Sequence, residues 1–329
     1  MPNSTGKKGR DMCILVTGAT GQIGSELTLA LRERYGREQV VAAGHRRTPP
    51  EPLRSSGPFV TLDVTDRAQV EEVVRKYKTE VVYHLAAVLS ASGERDPKLA
   101  WRVNMEGLYN VLEAARAHGI RQVFWPSSIA VFGPRTPRDL TPQDTVLSPT
   151  TMYGVTKVAG ELLCEYYARR YGLDVRGLRF PGIISSETPP GGGTTDYAVE
   201  MFYAAVKGEP YTCFVRPDTT LPMMYMPDCL RAALELMDAD PSRLRYRMYN
   251  ITGMSFSAGE LAAEIKKPMP SFICTYAPDF RQAIADSWPR SIDDSAARED
   301  WGWEPKYDLA AMVEDMLGAL RRRHERGEL

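Results

Sequence analysis

Tyr153 and Lys157 stand four residues apart in the run TTMYGVTKVAGELL, Thr150 to Leu163. In a helix that spacing is about one turn, so both side chains share a face. A phenol ionises near pH 10 and is a poor base at neutral pH, so it must lose roughly two to three units to act there. Each unit is about 1.4 kcal/mol of differential stabilisation of the phenolate. A nearby ammonium, together with a cationic ring on a bound cofactor, is the kind of charge that supplies it. Such a phenol accepts the hydroxyl proton of an alcohol. Upstream, PSSIAVFG places Ser127 and Ser128 at the end of an apolar run. A serine hydroxyl there can orient the alcohol and stabilise the carbonyl that develops. The plain alternatives are a surface helix pair for Tyr153 and Lys157 and strand-end capping for the serines.

VTGATGQIG sets Gly18, Gly21 and Gly24, with Gln22 and Ile23 between the last two, where a first strand passes into a first helix. Glycines at this spacing let backbone N–H groups approach a pyrophosphate, and the helix N-terminus adds partial positive charge. A ribose-binding acid is expected at the end of the second strand. Gly44 stands there instead, followed by His45, Arg46 and Arg47. The usual discrimination against a 2′-phosphate is missing, so NAD and NADP both remain open on local chemistry. Asp63 in TLDV is placed to receive the adenine amino group. The plain reading of Arg46 and Arg47 is a solvated loop.

These residues need a frame. Apolar runs over 13–18, 39–44, 58–64, 80–88, 122–128 and 174–180 alternate with helical patterns, including 97–119 and the stretch after Met152. Apolar strands alternating with helices predict an α/β, Rossmann-type doubly wound parallel sheet with ligands at its carboxyl edge. The rhythm breaks at SSETPPGGGTTDYA, Ser185 to Ala198, a loop or hinge. The expected organisation is a polar, disordered extension over 1–10 and a dinucleotide-binding domain over 11–184, to which segments near 224–253 return. A smaller C-terminal substrate lobe takes 185–223 and 254–329.

Bulk composition agrees with a globular fold. The 329 residues are 43% hydrophobic and 25% charged, with 41 basic against 42 acidic side chains. That balance argues against nucleic acid or an anionic membrane as the main partner. Five cysteines, none in a C-x-x-C pair, read as reduced packing thiols. No apolar stretch predicts a membrane span or secretory signal, so a cytoplasmic location is expected, and no metal is expected.

The motifs TGATGQIG, HLAAVLSASGE, PSSIAVFG and YGVTK together resemble, in order, those of the extended short-chain dehydrogenase/reductase family. Longer segments resemble its L-threonine 3-dehydrogenase subgroup, related to sugar-nucleotide epimerases: RFPGIIS, GGGTTDYAVEMFYAAVKGEPYTCFV, LPMMYMPDCLRAA and SWPRSIDDSAAREDWGW. The resemblance covers nearly the whole chain. It implies oxidation of L-threonine to 2-amino-3-oxobutyrate with NAD, with Tyr153 as base, Lys157 as its partner and Ser128 as hydroxyl orienter. Leu85, Ala86 and Ala87 are implied as cofactor contacts, Pro181 to Ile184 as the stretch against the nicotinamide, and Asn104 as support for the lysine's surroundings. Ser90, Gly182, Thr194 and Thr195 are implied near the amino acid, with Trp288 at the border. The family also implies a homodimer built on helices near 98–118 and 152–171. Two other readings share parts of this pattern: a sugar-nucleotide epimerase or dehydratase, and a dinucleotide-sensing protein without turnover. Thr194 and Thr195 could instead cap the next helix, Arg179 could be an ion-pair residue, and His84 reads as a hydrogen-bonded core histidine.

Overall fold

Alternation along each strand decides which face a side chain takes, and the core records it. The computed structural model describes residues 12–189 and 191–329; the polar extension expected over 1–10 lies outside them. Seven parallel strands form the main sheet: β1 (Cys13–Thr17), β2 (Val40–Gly44), β3 (Phe59–Thr61), β4 (Thr79–His84), β5 (Gln122–Phe124), β7 (Asp174–Phe180) and β11 (Met248–Asn250). The two-residue β6 (Ser127–Ser128) adds to β7. The order is β11-β7-β5-β4-β1-β2-β3. On β1, Ile14 and Val16 join one core and Leu15 the other. The first core packs helices Gln22–Tyr35 and Met226–Asp238; the second packs Arg67–Tyr77, Gly107–His118 and Met152–Tyr171. Both faces are covered, which is why the strands are apolar throughout.

The chain runs from β1 outward through β2 and β3, then crosses back to β4 on the other side of β1. The carboxyl ends of β1 and β4 therefore part at a topological switch point, where ligands bind in such sheets.

Three stretches differ from the sequence expectation. The fifth apolar run is two strands, because Pro126, with no N–H to give, interrupts it between β5 and β6. The helix expected over 97–119 has a π-helical turn, Arg102–Glu106, between Pro97–Trp101 and Gly107–His118. The third run closes early, pairing with β2 only over Phe59–Thr61.

The remaining strands are β8 (Gly182–Ile184), β9 (Tyr211–Cys213), β10 (Thr220–Tyr225), β12 (Met254–Ser257) and β13 (Cys274–Tyr276). β12, β10 and β8 make a second sheet, and β13 pairs with β9. A third core, with Tyr197, Phe202, Met223, Leu261 and Leu317, packs these segments together with Ile129 to Phe132 and Tyr153. β8 follows β7 after only Pro181, which joins the two sheets directly. Of the segments near 224–253, β11 joins the main sheet beside β7 and helix Met226–Asp238 packs on it, whereas β10 stays with β8.

Candidate active site

Gly18 follows β1 with φ +69°, a left-handed conformation that favours glycine. A Cβ there would lie 2.5 Å from the Ala86 nitrogen, and a Cβ on Gly24 would lie 2.2 Å from the Gly18 oxygen. Gly21 is the N-cap of helix Gln22–Tyr35 and supplies no side-chain cap. The turn lines a cleft of about 570 Å³ along the carboxyl edge, with its Ala19 and Gly21 amides held by the Ala43 and Gly18 carbonyls. Gln22 lines that cleft, and its Nε2 is buried with no hydrogen-bond partner among the described residues. A cradle closed to any Cβ and an orphaned donor fit a phosphorylated ligand.

Gly18, Gly21, Gln22, Ile23, Gly24, Arg46, Asp63, Leu85, Ala86 and Ala87 line the cleft, with Ser90, Ser128, Tyr153, Lys157, Pro181, Gly182, Ile183, Thr194, Thr195 and Trp288. Asn104 does not. It is buried behind the wall, where its Oδ1 accepts from the Val88 amide at 2.8 Å. Its Nδ2 donates to the Val88 carbonyl and to Thr156 Oγ1. Asn104 thus spends its amide on Val88 and on Thr156, the residue before Lys157, and stands behind the cleft wall rather than on it.

Helix Met152–Tyr171 begins with Thr151 Oγ1 accepting from the Gly154 amide. One turn separates Tyr153 from Lys157 and another separates Lys157 from Glu161, so all three project toward the sheet edge. Lys157 Nζ donates to the Pro126 carbonyl at 2.5 Å and lies 4.4 Å from the Trp125 ring centre and 5.4 Å from that of Tyr153. Burial pushes Tyr153 up to about 12, and a hydrogen bond with Ser128 opposes this. Burial pushes Lys157 down to about 7, with Cys164 and Glu161 opposing. Both groups are desolvated, and in the free chain each favours its neutral form.

The two serines part company. Ser127 Oγ donates to Glu161 Oε1 at 2.5 Å and is buried. Ser128 is half-buried, accepts from the Ala130 amide at 3.2 Å and meets Tyr153. Arg179 does not line the cleft; it grips both Glu161 oxygens at 2.9 and 2.8 Å. His84 is 1% exposed, with Nδ1 2.7 Å from Thr17 Oγ1, and burial pushes it down to about 3. It is a core group.

At the far end, Ser90 Oγ and Thr194 Oγ1 are 3.1 Å apart and buried. Neither Thr194 nor Thr195 caps the next helix, whose N-cap is Asp196. A Cβ on Gly182 would meet Met223 Sδ at 2.3 Å and Thr195 Cγ2 at 2.8 Å, so strand and loop touch there. The lining groups that the sequence reading did not single out include Asp196, Arg102 and Ser92. Asp196 Oδ2 accepts the amides of Gly192 and Gly193 at 2.8 Å each. Burial pushes its carboxyl up to about 6, with those amides opposing. Its place two residues after Thr194 was the available signal.

Residues 14–252 match the NAD dependent epimerase/dehydratase family. A GalE-like L-threonine dehydrogenase from Cupriavidus necator, in its holo form, is 55% identical, with 94% of this chain and 99% of that one covered and a TM-score of 0.91. A monomeric L-threonine 3-dehydrogenase from a metagenome, in its apo form, is 52% identical over 94% and 99% of the two chains, with a TM-score of 0.90. An uncharacterised epimerase/dehydratase of Staphylococcus haemolyticus is 49% identical over 314 residues, 95% of this chain and 98% of that one. With the glycine turn, the Tyr-x-x-x-Lys helix and the match across both lobes, the chain belongs to the NAD dependent epimerase/dehydratase family, enzymes of the extended short-chain dehydrogenase type that use NAD.

Proposed function

We propose that this enzyme oxidises L-threonine at its 3-hydroxyl to 2-amino-3-oxobutyrate with NAD. The observation that carries the reading is the composition of one cleft. The glycine turn lines it together with Tyr153, Ser128, Ser90, Thr194, Thr195 and Trp288. Hydroxyls gathered beside Gly191 and Gly193 suit a small zwitterion better than a long sugar nucleotide. Similarity to L-threonine dehydrogenases at 55% and 52% identity supports the same substrate.

When bound, the oxidised nicotinamide supplies the hydride acceptor and a positive charge. The chain does the rest. Tyr153 Oη takes the proton of the substrate hydroxyl. Ser128 Oγ, beside Tyr153 in the same cleft, holds that hydroxyl in line and donates to the oxygen as it becomes a carbonyl. Lys157 Nζ, anchored on the Pro126 carbonyl, stands behind the phenol ring as the cation that favours phenolate. Ser90 and Thr194 hydroxyls receive the amino-acid end, and Pro181 to Ile183 wall the ring side.

The test is Tyr153→Phe. Cofactor binding by fluorescence titration should survive, and threonine-dependent NADH formation should fall by roughly 10²- to 10⁴-fold, the usual worth of a general base. Equal activity in that variant would refute the assignment. A product assay with L-threonine beside a UDP-sugar separates this reading from an epimerase on the same scaffold.

A further inference from the structure

We propose that the adenosine end of the cleft binds a 2′-phosphate, so that this enzyme accepts NADP as well as NAD. The proposal rests on the glycine turn being a dinucleotide site. In sheets of this kind an acid at the end of the second strand bonds the ribose 2′-hydroxyl and repels a 2′-phosphate. Here β2 ends at Gly44, and no side chain is present to do either. The space is filled from elsewhere: a Cβ on Gly44 would lie 2.9 Å from Thr20 Cγ2 and 3.1 Å from Phe59 Cζ. Thr20 and Gly44 both line the cleft, so its floor is neutral at this point.

Charge of the other sign surrounds that floor. Arg46 and Arg47 follow after His45, are exposed and line the cleft. Among the described residues neither forms an ion pair, although the molecule pairs most of its buried arginines. Arg102 reaches the same end from the π-helical turn. One carboxylate lies there, Asp63, and it is engaged. It accepts from the Thr65 amide at 2.9 Å and the Thr65 hydroxyl at 2.8 Å, and His45 Nε2 stands 3.6 Å away. Three guanidiniums therefore face one occupied carboxylate. Guanidinium forks match phosphate oxygens in pairs and stay charged at any relevant pH. A 2′-hydroxyl would meet no such partner and no repulsion, so NAD remains a ligand without being singled out.

The decisive experiment uses fragments that differ by one phosphate. Adenosine 2′,5′-bisphosphate and 5′-AMP are titrated calorimetrically into the full-length protein and into an Arg46→Ala/Arg47→Ala variant at one low ionic strength. The bisphosphate should bind the native protein about tenfold tighter than AMP, a difference of about 1.4 kcal/mol. In the variant that preference should vanish while AMP affinity holds within about twofold, because AMP uses the glycine turn. Equal or weaker binding of the bisphosphate by the native protein overturns the proposal, as does a preference that survives in the variant. Failure of both ligands to bind would sink the dinucleotide reading itself, a separate outcome from loss of the preference alone.

Discussion

Lys157 is a cation buried where its neutral form is favoured, and that has a measurable cost. Its ordinary value is 10.5, and in the fold burial takes it to about 7. Between those values the unfolded chain holds a proton that the folded chain lacks. The stability linked to this residue therefore rises as pH climbs from about 7 to 10.5, and below 7 the whole penalty is felt. Lys157→Met removes the titration. The variant's urea midpoint should gain on the native protein as pH is lowered from 10.5 toward 7, and a difference that ignores pH would show the ammonium to be charged throughout. Burial holds the Tyr153 phenol above its ordinary value in the free chain, so a cation brought beside it has to favour the phenolate before it can act as a base near neutral pH. At this scale the sequence was informative wherever function follows from local spacing, as with Tyr153 and Lys157. It was silent about Arg102, because only the fold brings a helix break to the cleft, and Asp196 offered no more than its nearness to Thr194.

Helix Met152–Tyr171 links the site to the molecule's interior through Glu161, eight residues after Tyr153. Arg179 on β7 binds both Glu161 oxygens, and its Nη1 donates to the Gln143 carbonyl at 2.9 Å and to Asn250 Oδ1 at 3.1 Å. Ser127 joins the same carboxylate. Helix, β6, β7 and β11 are thereby fixed to one another by a single buried ion pair. Removing one partner strands the other without solvent, at a cost of about 3–5 kcal/mol. Arg179→Met alone should lower stability by that much in urea unfolding. The Arg179→Met/Glu161→Leu double variant should be less destabilised than the sum of its singles, and strict additivity would mean that the pair is not coupled. The alternation of strand and helix could be read from hydrophobic period, since each main-sheet element carries its own pattern. Three features could not. Pro126 splits a run whose composition is otherwise strand-like, the π-helical turn has no compositional mark, and the sheet of β8, β10 and β12 joins segments more than 30 residues apart. Each is settled by what the segment packs against rather than by its own residues.

The same helix has a second face, and it bears on the whole assembly. Val155, Leu162 and Tyr166 recur at spacings of seven and four and are 41%, 67% and 52% exposed, opposite the stripe of Tyr153, Lys157 and Glu161. The neighbouring helices add Trp101 and Tyr109, 46% and 47% exposed, and Tyr171 extends the patch at its end. An apolar group of this size on one side of a molecule marks an interaction surface. Each aromatic side chain carries roughly 150–250 Å² and shows about half of it here, so covering the four aromatics and two aliphatics supplies a large part of the roughly 800 Å² per partner that a stable dimer requires. We therefore expect two copies to meet through these helices about a two-fold axis. Sedimentation velocity at micromolar concentration should show a two-chain species, and Leu162→Glu/Tyr166→Glu should shift it to one chain while leaving far-UV circular dichroism unchanged. A native protein that sediments as a single chain at that concentration would remove the dimer, and would align this enzyme with the 52% identical neighbour described as monomeric. The outcome matters for the chemistry, because the helix that would be clamped by a partner is the one that carries Tyr153 and Lys157. If dimerisation stiffens it, the glutamate pair should lower kcat more than it raises KM; if the monomer is the working unit, both constants should stay as they were.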